Sequence, residues 1–470
     1  MARVLLVMPQ LPQRLGAPYL GQLYLAASLD QAGHTTRAID LGARFAAAGD
    51  EAVHEAVEAF SPDAVAMTLF TYNASAAYRL AGQLSGKVNL LVAGGPHVTV
   101  RPEEPLAHGF DLSIAGEGEI SLPLALEALD AGGDATKVPG ARGPAGAGPP
   151  TEPIARLEHL PAPHLGLRAF ELAGYWPPGT EEPPIPGGMM TSRGCPARCT
   201  FCANYVTGRV FRWRPAQDVV GEMVALRRCH GVTTFPFWDD AFTAHRPRLD
   251  SLCDAIMAEP ALSGTSWTCI TPANMVKPRD LKRMREAGCV AINFGIESAD
   301  AAVLRTIEKG QRPDQVRAAV MAARAEGMST VVNFMFGFPG EGVAELEATR
   351  SFMEELAPHT DYFNSRGVLV PFPGTPVYER HHEGYGFTDW WLDATRIPAE
   401  LDEPDPVRAL AQLEHDPALD VDYFRYTHAA RDAIADCVRF KARHNQATVA
   451  RLAGVDVDTW RARLAQSVAA

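Results

Sequence analysis

Three cysteines lie close together in the segment RGCPARCTFCAN. Cys195, Cys199 and Cys202 form a C-x3-C-x2-C run, and thiolates in this number bind zinc or an iron–sulfur cluster. Zinc sites usually use paired C-x2-C elements or add histidines, so a plain zinc site here would need Cys229 or His230 as a fourth ligand. A [4Fe–4S] cluster normally takes four cysteines. Three cysteines therefore leave one iron open to a small chelating molecule.

Other polar residues follow a second series of predicted strands, within residues 187–376. Barrel enzymes place their active sites at such strand ends. The spacing gives six strand–helix units, which is too few for a complete eight-stranded barrel and predicts a partial (β/α)6 barrel. Asp239 and Asp240 could also merely cap the segment that follows them. The strand-end residues are Asp239, Asp240, Glu297, Ser298, Gly337, Pro339 and Glu341.

Residues 1–130 alternate short apolar runs with helical patterns, which is typical of a doubly wound parallel sheet. Such sheets bind ligands in the turns at the carboxyl ends of their strands. One turn, GGPHVTV, contains two glycines that either form an ordinary strand exit or let a nucleotide-like tail approach the backbone. The candidate residues in these turns are Thr68, Thr71, Tyr72, Gly94, Gly95, Pro96 and His97.

The remaining segments are predicted to connect and flank these two units. Residues 131–186 are rich in glycine and proline and are predicted to be a linker. Residues 377–470 have a mostly helical pattern whose end faintly suggests a helix-turn-helix. The net charge of −13 disfavours nucleic-acid binding. No apolar run is long enough to span a membrane, and three clustered cysteines among eight favour a reducing cytoplasm over a secreted disulfide framework.

The cysteine run resembles that of the radical SAM superfamily, with Phe201 just before the last cysteine. The later motifs FWDDAFT, NFGIESAD, IEKG, FGFPGE and PFPGTPVYE follow in the order and spacing of that superfamily. The resemblance implies a [4Fe–4S] cluster on the three cysteines, with S-adenosylmethionine (SAM) chelating the fourth iron. It also implies SAM contacts from Phe201 and from the strand-end residues Asp239, Asp240, Glu297, Ser298, Gly337 and Pro339.

The N-terminal unit resembles the cobalamin-binding domain that one branch of the superfamily carries. The segments LGQLYLAASLDQAGHTTRAIDL, GGPHVTVRPEE and IAGEGEISL carry this resemblance, which adds Glu117, Gly118 and Glu119 to the implied cofactor contacts. The D-x-H-x-x-G motif of other cobalamin modules is absent, because the turn after AIDL reads GARF. No histidine ligand to cobalt is therefore expected from that turn.

The combined resemblance implies a cobalamin-dependent radical SAM enzyme that methylates an unactivated carbon of a natural-product or cofactor intermediate. The reaction would use a 5′-deoxyadenosyl radical and methylcobalamin, with a one-electron reductant such as flavodoxin or ferredoxin. Two alternatives stay open: a cyclase, ring-contraction or other rearrangement enzyme with the same cofactors, and a non-catalytic cobalamin or iron–sulfur binding protein.

Overall fold

The computed structural model describes residues 1–12, 15–45, 49–176, 188–364, 367–397, 406–417 and 430–452. Their architecture confirms the predicted α/β class, with a Rossmann-like unit followed by a partial barrel. Among these residues, no helix combines the length and the apolar character needed to cross a membrane.

The first sheet has the order β2-β1-β3-β4-β5-β6-β7, and its first five strands in this order are parallel. Apolar sequences such as RVLLVM in the interior strand β1 are buried because helices cover the sheet. The strands are β1 (Arg3–Met8), β2 (Thr35–Asp40), β3 (Ala64–Thr68), β4 (Leu91–Gly94), β5 (Leu112–Ile114), β6 (Ala141–Gly143) and β7 (Gly146–Ala147). The helices are α1 (Leu20–Gln31), α2 (Glu51–Phe60), α3 (Ala74–Leu84), α4 (Pro96–Val100), α5 (Glu104–Ala107) and α6 (Gly118–Asp130).

The segment predicted as a linker contains regular structure. Strands β6 and β7 form an antiparallel hairpin that extends the first sheet beyond the predicted boundary at residue 130. The glycine-rich sequence permits this tight hairpin, and its Gly and Pro content hid the two short strands from the sequence analysis. Residues 177–187 of the predicted linker lie outside the described residues.

The second sheet is the partial barrel, with five parallel strands in the order β10-β11-β12-β13-β14. The predicted first strand is reduced to one parallel bridge, Met189 to Phe237, before the chain forms the small antiparallel pair of β8 and β9. The predicted sixth strand begins earlier than expected, at Tyr362, and Val368 adds a separate bridge to Phe336. The strands are β8 (Ser192–Arg193), β9 (Arg212–Trp213), β10 (Thr234–Phe237), β11 (Ser266–Pro272), β12 (Cys289–Glu297), β13 (Ser329–Phe334) and β14 (Tyr362–Asn364).

Helices cover the outer face of this barrel and continue into the C-terminal region. They are α7 (Ala216–His230), α8 (Arg246–Ala258), α9 (Pro278–Glu286), α10 (Ala301–Thr306), α11 (Pro313–Ala325), α12 (Val343–Leu356), α13 (Pro376–Tyr385), α14 (Pro406–His415) and α15 (Arg431–Leu452). Helix α15 closes the sheet edge, where its Phe440 packs 5.9 Å from Phe363 of β14. Most of the segment predicted to resemble a helix-turn-helix, residues 453–470, lies outside the described residues.

Candidate active site

A cavity of about 740 Å³ lies between the carboxyl edge of the first sheet and the mouth of the barrel. The first sheet and its turns contribute the glycines at positions 94, 95, 116 and 118, and the barrel side contributes Thr207 and Asp240. The cavity also reaches between the strands of the first sheet to Leu6, Ala66 and Val92. One wall of each domain therefore faces the same space.

The glycine pair after β4 lets the backbone form this wall. Gly95 has a φ of 104°, and a Cβ there would lie 2.9 Å from the backbone oxygen of Leu69. Any side chain would therefore clash with backbone that cannot move aside. Gly94 and Pro96, together with Thr68 of β3, also line the cavity, and their cofactor contacts stay a prediction. The cavity is deep and has glycines in one wall. It therefore has room for a bulky planar cofactor whose tail extends between the strands of the first sheet.

His97 lies behind the glycine wall and does not line the cavity, which disfavours its predicted cofactor contact. The ring is fully buried, with Nδ1 3.3 Å from Thr71 Oγ1 and Nε2 3.2 Å from Glu104 Oε1. Both ring nitrogens are thus occupied. Thr71 is equally buried in this hydrogen bond, and Tyr72 packs at 5.3 Å on Phe372 from the end of the barrel. None of these three side chains lines the cavity.

Glu104 connects this network to the C-terminal region. Its Oε1 accepts hydrogen bonds from Tyr78 at 2.8 Å and from the indole nitrogen of Trp391 at 2.8 Å, in addition to the contact with His97. Burial alone would raise the pKa of Glu104, but these hydrogen bonds and the nearby imidazole lower it overall. A carboxylate of the first domain is therefore held ionised by side chains that include one from beyond the barrel.

Glu117 and Glu119, at the start of α6, form buried ion pairs across the domain boundary. Arg193 Nη1 lies 2.8 Å from Glu117 Oε1, and its Nη2 lies 2.6 Å from Glu119 Oε1. Arg212 Nη1 lies 2.7 Å from Glu117 Oε2. The sequence analysis expected these carboxylates to contact a cofactor, but buried guanidinium groups already neutralise them. Glu117, Gly118 and Glu119 all line the cavity, so the cofactor contacts of the two carboxylates stay a prediction.

This ion-pair group positions the cysteine loop, because Arg193 stands two residues before Cys195. The loop is further fixed by hydrogen bonds from Cys195 N to Gly208 O at 3.2 Å and from Thr200 N to Ile307 O at 2.9 Å. The sequence analysis gave neither arginine a role. The signal in the sequence was Arg193 itself, because it ends a strand predicted to be buried and a buried charge needs a partner of opposite charge.

The three predicted cluster ligands lie together at the barrel mouth, and all are free thiols. Desolvation, with smaller effects of Cys199, Asp240 and Cys195, raises the pKa of the Cys202 thiol to about 12. Among the described residues, no three His, Cys, Asp or Glu side chains converge closely enough to hold a single metal ion. Each cysteine of a cubane cluster binds a different iron, so the ligands of a [4Fe–4S] cluster stand further apart. The three cysteines as ligands of the cluster stay a prediction from the spacing of the run.

Lys309 is a buried cation beside these thiols that the sequence analysis quoted in IEKG without assigning it a role. Its Nζ lies 2.6 Å from Glu297 Oε1 and 5.8 Å from the ring of Phe201. Burial lowers the pKa of Lys309, but Glu297 and Cys199 outweigh this effect and raise it overall. A positive charge thus faces the thiol group, where it would stabilise thiolates.

Glu297 and Ser298, both predicted SAM contacts, are placed at the end of β12 next to this cation. Glu297 has a φ of 70°, an unfavourable backbone conformation for a residue with a side chain, and the register between β12 and β13 shifts there. The carboxylate of Glu297 forms its ion pair with Lys309 from this position. The Ser298 hydroxyl lies 3.1 Å from Thr349 Oγ1 and accepts a hydrogen bond from Asp300 N. The Ser298 side chain therefore stabilises the turn that follows β12.

Asp239 and Asp240 have different surroundings although they are adjacent. Asp239 is buried and accepts hydrogen bonds from Thr191 N at 2.6 Å and Ser192 Oγ at 2.6 Å, with Arg248 Nη2 at 3.2 Å. Its carboxylate is thus occupied in binding the segment that leads to the cysteine loop. This placement disfavours the predicted contact of Asp239 with SAM.

Asp240, in contrast, lines the cavity. Its Oδ2 accepts hydrogen bonds from Gly194 N and Thr207 Oγ1, and its Oδ1 accepts none from any described residue. Desolvation raises the pKa of this carboxyl, although those hydrogen bonds oppose the rise. The contact with the SAM ammonium group stays a prediction, and the geometry favours Asp240 for it.

The FGFPGE turn after β13 lies against the cysteine loop through Phe338, whose ring is 5.6 Å from that of Phe201. Glu341 Oε2 accepts hydrogen bonds from Gly337 N at 2.6 Å and Phe338 N at 3.2 Å, which fixes the turn around Pro339. Burial raises the pKa of Glu341 to about 7. The structure thus places Gly337 and Pro339 in one rigid turn beside the predicted cluster.

Comparison with known proteins agrees with this arrangement. Residues 189–353 match the family model of the radical SAM superfamily, and residues 16–126 match that of the B12 binding domain. The chain is 31% identical over 394 residues to an uncharacterized methyltransferase of Pyrococcus horikoshii, covering 80% of this chain and 82% of that protein. It is 27% identical to the anaerobic magnesium-protoporphyrin IX monomethyl ester cyclase of Rubrivivax gelatinosus, covering 76% of this chain and 65% of the cyclase.

The fold is also found in a solved structure, the radical S-adenosylmethionine methyltransferase TsrM from Kitasatospora setae with a tryptophan substrate and a SAM analogue bound. It superposes with a TM-score of 0.65 at 19% identity, covering 82% of this chain and 77% of TsrM. The two family matches confirm the expected cofactors, because the radical SAM domain implies a [4Fe–4S] cluster and SAM and the B12-binding domain implies cobalamin. The chain therefore belongs to the radical SAM superfamily, as a member with a B12-binding domain in front of its barrel.

Proposed function

We propose that the protein is a cobalamin-dependent methyltransferase that adds a methyl group to an unactivated carbon of a natural-product or cofactor intermediate. The shared cavity is the main observation behind this proposal, because walls from the cobalamin domain and the barrel face one space. When bound, the cluster with SAM supplies an organic radical for hydrogen abstraction, and cobalamin supplies a transferable methyl group. A substrate carbon in this cavity can be reached from both sides.

The chain's own residues would position these groups and exclude water. The cysteine loop would hold three irons of the cluster, and Lys309 would offer a positive charge beside them. Asp240 has a free carboxylate oxygen at the cavity wall for the SAM ammonium group. The Gly94–Gly95 turn lets a bulky cofactor reach the backbone. The largely apolar cavity lining, with Leu20 and Leu122 among its residues, would keep water from a reactive radical.

The relatives support methyl transfer, and one of them supports ring formation as a second candidate reaction. A methyltransferase of Pyrococcus horikoshii and TsrM carry that activity in their names, and the tryptophan bound to TsrM supports a small-molecule substrate here. The similarity to the magnesium-protoporphyrin IX monomethyl ester cyclase favours ring formation as the second candidate. The same cavity would hold a substrate radical that forms a bond to another atom of its own molecule.

An assay with candidate substrates from neighbouring biosynthetic genes separates these functions. The enzyme is loaded anaerobically with cluster and cobalamin and receives SAM labelled in its methyl group and a one-electron reductant. We expect labelled product, with 5′-deoxyadenosine and S-adenosylhomocysteine formed in equal amounts. Unlabelled product with 5′-deoxyadenosine would establish the cyclase instead. Bound cofactors without any 5′-deoxyadenosine would identify a binding protein.

We also propose that an acidic one-electron carrier protein, such as a flavodoxin or ferredoxin, docks on residues 209–213 beside the cysteine loop. Arg209 donates a hydrogen bond to Ala197 O at 2.7 Å within the loop, and its charge reaches Cys195. Val210 is 66% exposed and Trp213 is 41% exposed, which gives the surface apolar character. Arg198, within the loop, is exposed, and no ion pair joins it to a carboxylate of the described residues.

Charge complementarity supports this docking surface. The chain carries a net charge of −13, so an acidic carrier is repelled by most of the molecule and attracted only where cations are locally unpaired. Such carriers and the oxygen-sensitive cluster belong to a reducing compartment, and all eight cysteines are free thiols. We therefore propose the cytoplasm as the location.

A further inference from the structure

Tyr19 contributes an aromatic ring to the cavity wall from the loop that follows β1. It directly precedes α1, and its carbonyl oxygen accepts hydrogen bonds from Gln22 N at 3.0 Å and Leu23 N at 3.2 Å. The ring meets that of Phe70 edge-on, with 5.0 Å between the ring centroids. A Cβ at Gly21 would lie 2.7 Å from Tyr19 Cε1, so the glycine leaves room for the ring. The position of Tyr19 in the wall is therefore fixed by its backbone and by two neighbours.

The hydroxyl group of Tyr19 faces the cavity. The charged groups that act on it are Glu119, Arg193 and Asp240, which all line the same space. Desolvation raises the pKa of Tyr19 to about 12, and Glu119 adds to the rise while Arg193 opposes it. The phenol is therefore neutral at physiological pH and keeps a proton that it can donate.

This hydroxyl has no hydrogen-bond partner among the described residues. Tyr24, five residues further along the chain, also lines the cavity, but its hydroxyl donates to Met190 O at 3.4 Å. The Tyr24 ring also packs against the Arg193 guanidinium at 4.7 Å. Of the two tyrosines, Tyr19 is thus the one whose hydroxyl is available to a ligand.

The cavity wall around the phenol leaves no charge for an ionic partner. Glu119 is already paired with Arg193 at 2.6 Å, and the free oxygen of Asp240 is the predicted contact of the SAM ammonium group. The neighbouring loop residues 15–18 are apolar. An ionic group of the substrate would lose its hydration here without gaining a partner of opposite charge. A neutral hydrogen-bond acceptor in an apolar molecule therefore fits the site best.

We propose that Tyr19 determines substrate specificity by donating a hydrogen bond to an uncharged acceptor, a ketone or amide oxygen, on an otherwise apolar part of the substrate. This inference rests on the proposed function, because it takes the shared cavity to be the substrate site. The hydrogen bond would anchor the substrate at the wall of the first domain and hold the reacting carbon in one place. An analogue without the acceptor would leave the phenol O–H buried and unpaired, which lowers its affinity.

Four probes with the same bicyclic ring system test the proposal: 1-indanone, indane, 1-aminoindane and indane-1-carboxylate. They are dialysed anaerobically against enzyme loaded with cluster and SAM, with and without cobalamin. We expect 1-indanone to bind about tenfold more tightly than the other three. Tyr19→Phe should remove this preference over indane, while indane binds as before. Tyr24→Phe is the matched control and should retain the preference, because its hydroxyl is engaged with Met190 O.

Infrared spectroscopy reports the hydrogen bond itself. A hydrogen bond to a carbonyl oxygen lowers the stretching frequency of the carbonyl group. The band of bound 1-indanone, identified by isotope labelling of its carbonyl, should therefore lie at a lower frequency in the unmodified protein and in Tyr24→Phe than in Tyr19→Phe. Cluster absorption and circular dichroism verify that each variant is folded.

Several results would overturn the inference. Equal binding of indane and 1-indanone, or a carbonyl band that Tyr19→Phe leaves unchanged, would exclude the hydroxyl as the donor. A preference that is present without cobalamin and disappears when cobalamin is added would assign the hydroxyl to the cofactor. Transfer of labelled methyl groups is measured separately, so product methylation without probe selectivity refutes only this inference, and selectivity without any methylation refutes only the proposed function.

Discussion

Arg193 Nη1 and Glu117 Oε1 lie 2.8 Å apart across the boundary between the two domains, and both side chains are buried. The arginine stands just before the cysteine loop, and the glutamate begins a helix whose first turn lines the cavity. This ion pair therefore sets the position of the cluster loop relative to the cobalamin domain.

Removing one partner of this pair should destabilise the protein strongly. Glu117→Ala leaves Arg193 and Arg212 as buried charges with reduced compensation, and breaking such a pair costs about 3–5 kcal/mol in the free energy of unfolding. Urea unfolding monitored by circular dichroism measures the loss. Asp314→Ala, which breaks the exposed pair with Arg312, is the control and should leave the transition unchanged. Equal effects of the two substitutions would contradict the role given to Glu117.

The cysteine loop should hold one cluster. Anaerobically reconstituted protein should contain about four irons and four sulfides per chain. Replacing Cys195, Cys199 and Cys202 together by Ala should abolish the iron content and the broad visible absorption, while Cys229→Ala should retain both because Cys229 is exposed at the end of α7. Zinc in place of iron would refute the cluster assignment.

Cobalamin should bind without a protein nitrogen on cobalt. The ring nitrogens of His97, which follows the glycine wall directly, are both engaged with Thr71 and Glu104. Electron paramagnetic resonance of the cob(II)alamin form should show no nitrogen hyperfine splitting from an axial ligand, and His97→Gln should leave the spectrum as it is. Splitting that disappears in His97→Gln would show that the imidazole had moved to the metal.

Glu341 should make the protein less stable as the pH rises from about 4.5 to about 7. Its pKa is raised from 4.5 to about 7 by burial, so in this window the folded chain keeps a proton that the unfolded chain has released. The stability contribution is complete below pH 4.5 and lost above the folded pKa, with a total of about 3 kcal/mol. Glu341→Gln should remove this part of the slope in urea unfolding at pH 5 and pH 8. An unchanged slope would mean that the carboxyl is ionised in the fold.

The proposed docking surface should affect reduction by a protein carrier only. Arg198→Glu combined with Val210→Glu should slow cluster reduction by an acidic flavodoxin about tenfold at low salt, because steering by charge is lost. Reduction by dithionite should keep its rate. The control Arg312→Glu lies on an exposed helix start of the barrel exterior and should leave both rates unchanged. A slower dithionite reaction in the first variant would place the damage in the cluster itself.

The sequence alone predicted the elements better than the partners of their side chains. Strand β1 is almost a contiguous apolar run, and the cysteine run lies within eight residues, so local pattern was sufficient. Glu117 meets Arg193 across 76 positions and Arg212 across 95, and no local pattern encodes such a meeting. For the same reason Asp239 and Asp240, adjacent in a single motif, could not be told apart before their neighbours were known.

The hydrogen bond from Trp391 to Glu104 also bears on how the protein is made. His97 and Glu104 lie behind the glycine wall of the first domain. Trp391, which donates a hydrogen bond to the Glu104 carboxylate, is encoded almost three hundred residues later. The ribosome therefore releases the first domain with its supporting network incomplete, and the network closes only after the whole barrel has emerged. Cofactor loading into a finished cavity is for this reason an event that follows translation of nearly the entire chain.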